Sequence, residues 1–350
     1  MNIEIVYIHN PKRAHKLLPL LEDFSVVSVK GWRDLLGLVR DRGTQTAVVV
    51  DGMRSRALRS VAASVLMRAP LVIRLRGEYF REERERTAAQ TGLLRWPLHL
   101  VYVLAARLCF LRARAVIFNS RYLVRAMAPY VKSKRVAVVH NPCTVPDPTP
   151  GLGRVAGLPD GGLRLLTVMN MNLASKIGPI AEAICEWVPP ELWEELDLRW
   201  VVCGGGYHEG RLREAVREKG LEHRVRLLGR VENVSGAYEW CSALVHLTRI
   251  DAFPNTPMEA MAHGKPVITN TESCGTREQV FDGENGFVVE DAASFVAALH
   301  AYAADPGLCE RHGRAGRWLV EGEFSVETQR SKMRRALEEL LLAQREGARG

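Results

Sequence analysis

Residues 251–290 read DAFPNTPMEAMAHGKPVITNTESCGTREQVFDGENGFVVE, from Asp251 to Glu290. Two acids, Asp251 and Glu259, stand eight positions apart around the loop Phe253-Pro254-Asn255-Thr256-Pro257. Proline is tolerated in the first turn of a helix, and glycine is favoured just past the last one. Pro257 and Gly264 therefore bracket a predicted helix, Met258 to His263, and Pro266-Val267-Ile268-Thr269 reads as a short apolar strand after it. On this reading one carboxylate precedes a helix N-terminus and the other lies in its first turn. The free N–H groups and the positive dipole end of such a terminus suit an anion such as a phosphate. Carboxylates beside it accept hydrogen bonds from sugar hydroxyls.

Outward from this stretch the same strand–helix alternation continues. Upstream come a strand at 164–168, a helix at 179–187, a strand at 198–202 leading into Gly204-Gly205-Gly206, a helix at 208–219, a strand at 225–227, a helix at 234–240 and a strand at 243–247. The first half repeats the logic, with aliphatic or β-branched runs at 3–8, 26–29, 47–50, 71–75, 115–118 and 136–139, and helices such as 56–67 and 122–130 between them. Alternation of this kind implies an α/β fold with parallel sheets covered by helices on both faces. The run from Asn141 to Gly151 holds four prolines, which excludes helix or central strand and reads as a linker. Residues 325–345 read as a long amphipathic C-terminal helix.

The Asp251–Glu290 stretch resembles the group-one retaining glycosyltransferases, glycosyltransferase family 4, of the GT-B fold. That family's pattern is E-x7-E followed by A-M-A-x-G-x-P-V-I. Asp251 stands at the first glutamate, Glu259 is the second, and Ala260-Met261-Ala262-His263-Gly264-Lys265-Pro266-Val267-Ile268 follows the rest. The turns Gly275-Thr276-Arg277-Glu278 and Asp282-Gly283-Glu284-Asn285-Gly286 are also similar to the family's. The resemblance implies two facing Rossmann-like domains with a cleft between them and a C-terminal helix that packs back on the first. It places an N-terminal acceptor-binding domain at 1–145, a linker at 146–162, a nucleotide-sugar-binding domain at 163–322 and the returning helix at 323–350.

The resemblance also assigns roles. Lys176 matches the family lysine that neutralises the donor diphosphate, whose charge grows as the sugar leaves. The family's arginine six positions before it is Asn170 here, an uncharged donor. Gly204 and Gly205 permit close backbone approach to a ligand, and the backbone around Arg230 and Val231 holds the nucleobase, with Arg230 able to stack on it. Glu259 binds ribose hydroxyls, Asp251 lies beside the transferred sugar, and the amides of Phe253, Pro254, Asn255 and Thr256 form the segment that meets its hydroxyls (Pro254 itself has no N–H). Asp251, Lys176 and Glu259 are thus the expected catalytic residues. In the first half, Arg76 and Gly77 stand where the family places His-Gly and are expected to meet the acceptor. An arginine stays charged where a histidine titrates, which suits an acceptor phosphate. Asn119-Ser120-Arg121 and Asn141 also match family turns.

The implied activity is retaining transfer of a sugar from a nucleotide-diphosphate sugar to a glycan or lipid-linked acceptor, as in glycolipid, lipopolysaccharide or exopolysaccharide synthesis. The nucleotide-sugar is a substrate and no cofactor is implied. No clustered Asp-x-Asp is present, so no metal is implied either. No carboxylate pair is placed as glycoside hydrolases require. Rival readings are a GT-B sugar-nucleotide epimerase or hydrolase and a catalytically silent sugar- or membrane-binding scaffold; donor hydrolysis or transfer separates them.

Composition sets the outer limits. The chain's 350 residues suffice for two domains, and 47% hydrophobic content is that of a soluble globular protein. Seven cysteines without a CxxC pair read as reduced thiols in a cytoplasmic compartment. The opening MNIEIVYIHNPK reads as a strand and not as a signal peptide, and no apolar run is long enough for a transmembrane helix. Residues 1–150 carry 25 Lys and Arg against 11 Asp and Glu, a net of +14, whereas residues 151–350 carry 23 against 29, a net of −6. Such asymmetry points the first half at an anionic partner. Nucleic acid is set aside because no RNA- or DNA-binding module is present. An anionic membrane surface, on the inner face of the cell membrane, is the remaining candidate. The segment 93–111, LLRWPLHLVYVLAARLCFL, is read as a buried helix preceding a strand; the alternative lays it in a membrane interface with Trp96 and Tyr102 at headgroup depth.

Overall fold

The computed structural model describes residues 4–9, 18–38, 46–89, 95–132, 134–146, 158–272 and 275–342. The chain divides into two compact units, one formed by Met1–Pro142 with Val326–Gly350 and the other by Cys143–Ser325. Most of the predicted linker, with all of its residues 147–157, lies outside the described residues, as do Asn10–Arg13.

The first unit is built on strands β1 (Glu4–Ile8), β2 (Ser25–Val29), β3 (Thr46–Asp51), β4 (Leu71–Leu75), β5 (Ala115–Phe118) and β6 (Arg135–Val138), all parallel, in the order β2-β1-β3-β4-β5-β6. Central strands such as β4, LVIRL, are buried along their whole length, as expected where helices cover both faces. Helices α1 (Trp32–Leu38), α2 (Ser55–Leu66), α3 (Tyr79–Ala89), α4 (Arg95–Arg112), α5 (Arg121–Ala126) and α6 (Ala128–Val131) connect them. The predicted helix over 122–130 is two pieces, broken at Met127. Ser120 caps the first, accepting the Leu123 N–H at 3.1 Å.

The second unit has β7 (Arg164–Val168), β8 (Arg199–Cys203), β9 (Val225–Gly229), β10 (Ala243–His246), β11 (Val267–Asn270) and β12 (Gly286–Val289), again parallel, in the order β12-β11-β10-β7-β8-β9. Its helices are α7 (Ala174–Glu182), α8 (Pro190–Glu195), α9 (Glu209–Glu218), α10 (Ser235–Trp240), α11 (Asn255–Ala262), α12 (Ala292–Ala304) and α13 (Pro306–Gly322). A π-helical turn, Ala183–Trp187, continues α7. Neighbouring residues of one strand feed opposite cores. Leu165 packs with Ile177, Ile180 and Phe295 on one face, and Leu166 with Met258, Met261 and Phe324 on the other.

The last helix, α14 (Val326–Leu342), belongs to the first unit. Its Met333, Ala336, Leu337 and Leu340 pack with Ile5, Tyr7, Leu20 and Val49. Arg330 holds it down, donating to the Pro19 carbonyl at 2.7 Å and pairing with Glu22 at 2.6 Å. The cysteines among the described residues are all free.

Two sequence expectations need correction here. α7 begins at Ala174, not at Pro179, so Lys176 lies in its first turn. The segment read as a buried helix is not buried: α4 covers only Ala105, Ala106, Cys109 and Phe110 fully, and much of its apolar surface faces outward. Even so, no helix among the described residues is long and apolar enough to cross a membrane.

Candidate active site

In the second unit, β7 pairs with β8 on one side and with β10 on the other, and the chain leaves those two central strands in opposite directions. Right-handed crossovers then put α7 and α11 on opposite faces of the sheet. Such a switch point leaves a crevice beyond the carboxyl ends of the strands, where open α/β sheets bind ligands. Lys176 follows β7 and Asp251 follows β10. The structure joins them across this point, with Lys176 Nζ 2.5 Å from Asp251 Oδ2 and each side chain only about one-sixth exposed.

The backbone explains the meeting. Pro179 sits inside α7 and has no N–H, so the carbonyl four residues earlier, that of Ser175, is not taken by its usual partner in the helix. The Arg249 N–H donates to it at 2.9 Å. One proline thus opens a docking point that draws the loop after β10 onto the first turn of α7. The Arg249 side chain reinforces the contact through Glu182 at 3.0 Å and Glu272 at 3.3 Å. Thr248 N–H donates to Asn270 Oδ1 at 3.1 Å, fixing the same loop to the end of β11.

From the other side, the Gly275 N–H donates to the Asp251 carbonyl at 3.1 Å. A Cβ at Gly275 would stand 1.7 Å from the Ala252 oxygen, so only glycine fits this close approach. Gln279, fully buried, donates from Nε2 to the Pro254 carbonyl at 2.8 Å, and Asn285 clamps Gln279 O at 2.9 Å and the Phe281 N–H at 2.8 Å. The two turns noted after the predicted helix are the scaffold of the Asp251–Pro254 loop.

α11 starts at Asn255 with Pro254 as its N-cap, two residues ahead of Pro257, so Glu259 lies in the second turn and not the first. The residues ahead of it are anchored by packing: Phe253 is buried edge-on against Phe324, with ring centroids 5.4 Å apart, and Pro254 is buried. Asn255 and Thr256 are half-buried at the helix start. Glu259 Oε2 accepts the Tyr238 hydroxyl at 3.0 Å. Tyr238 is buried, and burial first and Glu259 second push its hydroxyl well above the usual tyrosine range, so it stays a proton donor. His263, one turn on from Glu259, donates from Nδ1 to the Glu259 carbonyl at 2.8 Å and stacks on Tyr238.

His246, at the end of β10, is buried beside the Lys176–Asp251 pair. Its Nδ1 lies 3.2 Å from Thr256 Oγ1, and its Nε2 is buried with no hydrogen-bond partner among the described residues. Burial pulls its pKa down to about 4, with Asp251 pulling up and Lys176 down, so the ring is neutral at neutral pH. A neutral imidazole can settle Thr256 in the first turn of α11 without adding charge.

The other expected donor residues are held by local contacts of their own. Gly204 and Gly206 have φ of +137° and +151°, and a Cβ on Gly204 would be 1.7 Å from the Met169 oxygen. The close approach they allow is to the loop after β7: Met169 N–H donates to Cys203 O at 3.0 Å, Met171 N–H to Gly205 O at 2.9 Å, and His208 N–H to Met171 O at 3.0 Å. Glycine is thus required at Gly204 and Gly206 by the backbone of that loop. Asn170, on the same loop, is exposed and accepts the Asn172 N–H at Oδ1, 3.3 Å away. Arg230 is exposed and makes no ion pair among the described residues, while Val231 packs half-buried on the core. Arg76 and Gly77 belong to the first unit, where Arg76 pairs with buried Asp51 at 2.8 Å and Gly77 lies against Glu82.

Tyr238, His246 and Gln279 carried no sequence signal, because each reaches its partner from a distant stretch of chain. His263 was accessible in principle, since residues four apart share a helix face. Among the described residues no three His, Cys, Asp or Glu side chains converge as metal ligands. A hollow of about 740 Å3 in this unit lies at the opposite edge, lined by Leu163, Ser242 and Pro266 at the amino ends of β7, β10 and β11. It is remote from the chemistry-bearing groups.

Residues 179–305 match the family model described as glycosyl transferases group 1, a span that contains Asp251, Glu259 and both supporting turns. Curated relatives include the lipopolysaccharide core biosynthesis mannosyltransferase LpcC of Rhizobium leguminosarum bv. viciae, 31% identical over 123 residues, which is 35% of this chain and 35% of that protein. The alpha-1,3/1,6-mannosyltransferase ALG2 of Dictyostelium discoideum is 29% identical over 143 residues, 37% of this chain and 33% of that protein. The chain spans about a third of the length of these two relatives. Solved structures of similar fold include HepE of Anabaena in complex with UDP, with a TM-score of 0.69 at 17% identity, covering 96% of this chain and 100% of that one. Sucrose-phosphate synthase from Thermosynechococcus elongatus gives a TM-score of 0.71 at 16% identity, covering 98% and 100%. The fold is GT-B, and the match to the group-1 glycosyltransferase family model lies wholly within the second unit.

Proposed function

We propose that the protein is a retaining glycosyltransferase that moves a hexosyl group from a nucleotide-diphosphate sugar to a hydroxyl of a glycan or lipid-linked acceptor without a metal. The observation that carries this reading is the Lys176–Asp251 pair at the switch point, directly ahead of α11 and Glu259. Lys176 neutralises the diphosphate, exchanging Asp251 for phosphate oxygens as the donor enters. The first turn of α11 adds its N–H groups and dipole. Glu259, oriented by Tyr238, accepts the ribose hydroxyls, and Asp251 accepts from the sugar. Departure of the nucleoside diphosphate leaves an oxocarbenium-like sugar; the acceptor hydroxyl attacks the same face, giving its proton to the leaving phosphate. Catalysis is then positioning and charge stabilisation. The acceptor is assigned to the carboxyl edge of the first unit's sheet, around Gly77 and Arg76, which keeps further N–H donors beyond the one spent on Asp51.

The names of the relatives point to hexoses, mannose among them, and to polysaccharide or lipopolysaccharide assembly; the HepE complex suggests UDP as the first nucleotide to try. The test is release of nucleoside diphosphate from UDP-, GDP-, ADP- and dTDP-hexoses, with the product anomer read by NMR. Release from one donor, at a rate that falls sharply in Lys176→Ala, supports the reading. No release from any donor, with or without lipid-extract acceptors, sinks it in favour of a silent scaffold. An inverted product anomer removes the retaining mechanism.

A further inference from the structure

The apolar surface of α4 forms a continuous stripe on its outward side. Val101, Leu104, Leu108 and Leu111 follow one another at three- and four-residue spacing, which stacks them on one helix face. All are exposed, Leu111 by 75%. Beside them, α2 packs along α4 and turns Leu58 and Val65 outward as well. Soluble proteins seldom show contiguous apolar patches of this kind unless something covers them. A helix apolar on its inner and outer sides alike suits an interior or a lipid phase, yet α4 does not meet the requirements of a span.

The charges around the stripe identify what covers it. α2 and α4 contain Arg56, Arg59, Arg95, Arg107 and Arg112 and no acidic residue. Arg107 and Arg112 flank the stripe, Arg68 and Arg114 follow the two helices, and all four are exposed and enter no ion pair among the described residues. A self-associating protein surface would need acidic partners for these guanidinium groups, and this face offers none. Anionic headgroups supply them, and an acyl layer accepts the leucines. Trp96, exposed at the start of α4, sits where an interfacial aromatic belongs.

We propose that the outer face of α2 and α4 docks the protein on a bilayer rich in anionic lipid, with α4 lying in the plane of the interface. The leucine stripe enters the acyl boundary and the arginines meet the phosphates. This surface is independent of the donor site in the second unit.

The experiment is co-sedimentation of the full chain with vesicles of pure phosphatidylcholine and of phosphatidylcholine with about one-third phosphatidylglycerol, at low and at high salt. Binding to the anionic vesicles, weakened by salt and by Arg107→Gln/Arg112→Gln, is expected. The triple variant Leu104→Ser/Leu108→Ser/Leu111→Ser should lower the partition coefficient at least about tenfold, since a lost buried leucine removes more than one decade of affinity. These side chains are exposed, so its melting temperature should match the parent. Undiminished binding by the triple variant overturns the proposal, as does equal binding to both vesicle types. Absence of vesicle binding, combined with a parent dimer that the triple variant dissociates, overturns it in favour of a contact between copies.

Discussion

Both units set a cation–carboxylate pair at the carboxyl edge of a six-stranded parallel sheet, and the two pairs are built for different ends. In the first unit Arg76 meets Asp51 at 2.8 Å, with the Asp51 side chain 1% exposed; Arg74 is buried beside it and donates to Asn141, 3.4 Å away. In the second, Lys176 and Asp251 are both partly open. Topology accounts for the difference. Asp51 and Arg76 come from β3 and β4, neighbours whose connections run in the same direction, so nothing parts above them. Lys176 and Asp251 straddle the strands where the chain reverses direction and the covering helices change face. Chemistry matches: arginine suits a fixed, forked pairing, and lysine is a mobile point charge that changes partners readily. The first pair encloses a buried carboxylate; in the proposed function the second surrenders its lysine to a phosphate.

The sharpest way to break this contrast is to remove each cation. Lys176→Ala should cut turnover by about a hundredfold or more, the scale of losing one group that stabilises transition-state charge, with little change in melting temperature. An unchanged rate would move the phosphate site elsewhere. Arg76→Ala should act on folding as well as raise the acceptor's KM. It leaves Asp51 buried without its partner, a loss on the order of 3 kcal/mol, read as a lowered urea midpoint at unchanged slope. If Lys176→Ala were the one that unfolded, the two roles would be exchanged.

A pH series sharpens the comparison further. His246 has its pKa lowered from 6.5 to about 4, so the unfolded chain takes up a proton before the folded one does. Its contribution to stability is complete above about pH 6.5 and is lost as pH falls toward 4, because the unfolded state then binds more protons. Melting temperature should therefore fall across that window more steeply in the parent than in His246→Gln; parallel curves would show that the ring does not titrate as placed. The smallest expected effect is at Tyr238→Phe. Removing one hydrogen bond to Glu259 should raise the donor's KM by roughly fivefold, about 1 kcal/mol, and leave kcat nearly intact.

The alternation of strands and helices is legible because most strands are short aliphatic runs and many of the turns carry glycine, proline or asparagine. The Asp251–Glu259 motif was legible for the same local reason. Proline misled twice. Pro257 and Pro179 each read as the first residue of a helix, but α11 starts two residues before the one and α7 five before the other. The second case depends on Arg249 supplying the hydrogen bond that Pro179 frees, a partner the local sequence does not reveal. The same limit applies to Gly204 and Gly206, whose need for glycine is set by the Met169–Asn172 backbone, and to Tyr238 and Gln279. α4 shows the converse: its composition announces an apolar helix, but which of its faces stays uncovered is decided by what packs on it.

The central claim is that the second unit's switch point binds a nucleotide sugar through Glu259 and Lys176. Its most direct test is a thermal-shift series of the purified chain against UDP-, GDP-, ADP- and dTDP-sugars and the free nucleotides, since a ligand that binds only the folded state raises the melting temperature by mass action. The account predicts a clear rise with one nucleotide that is absent in Glu259→Ala, whose own ligand-free melting curve stays cooperative. A rise that persists undiminished in Glu259→Ala, or no rise with any nucleotide, would contradict it.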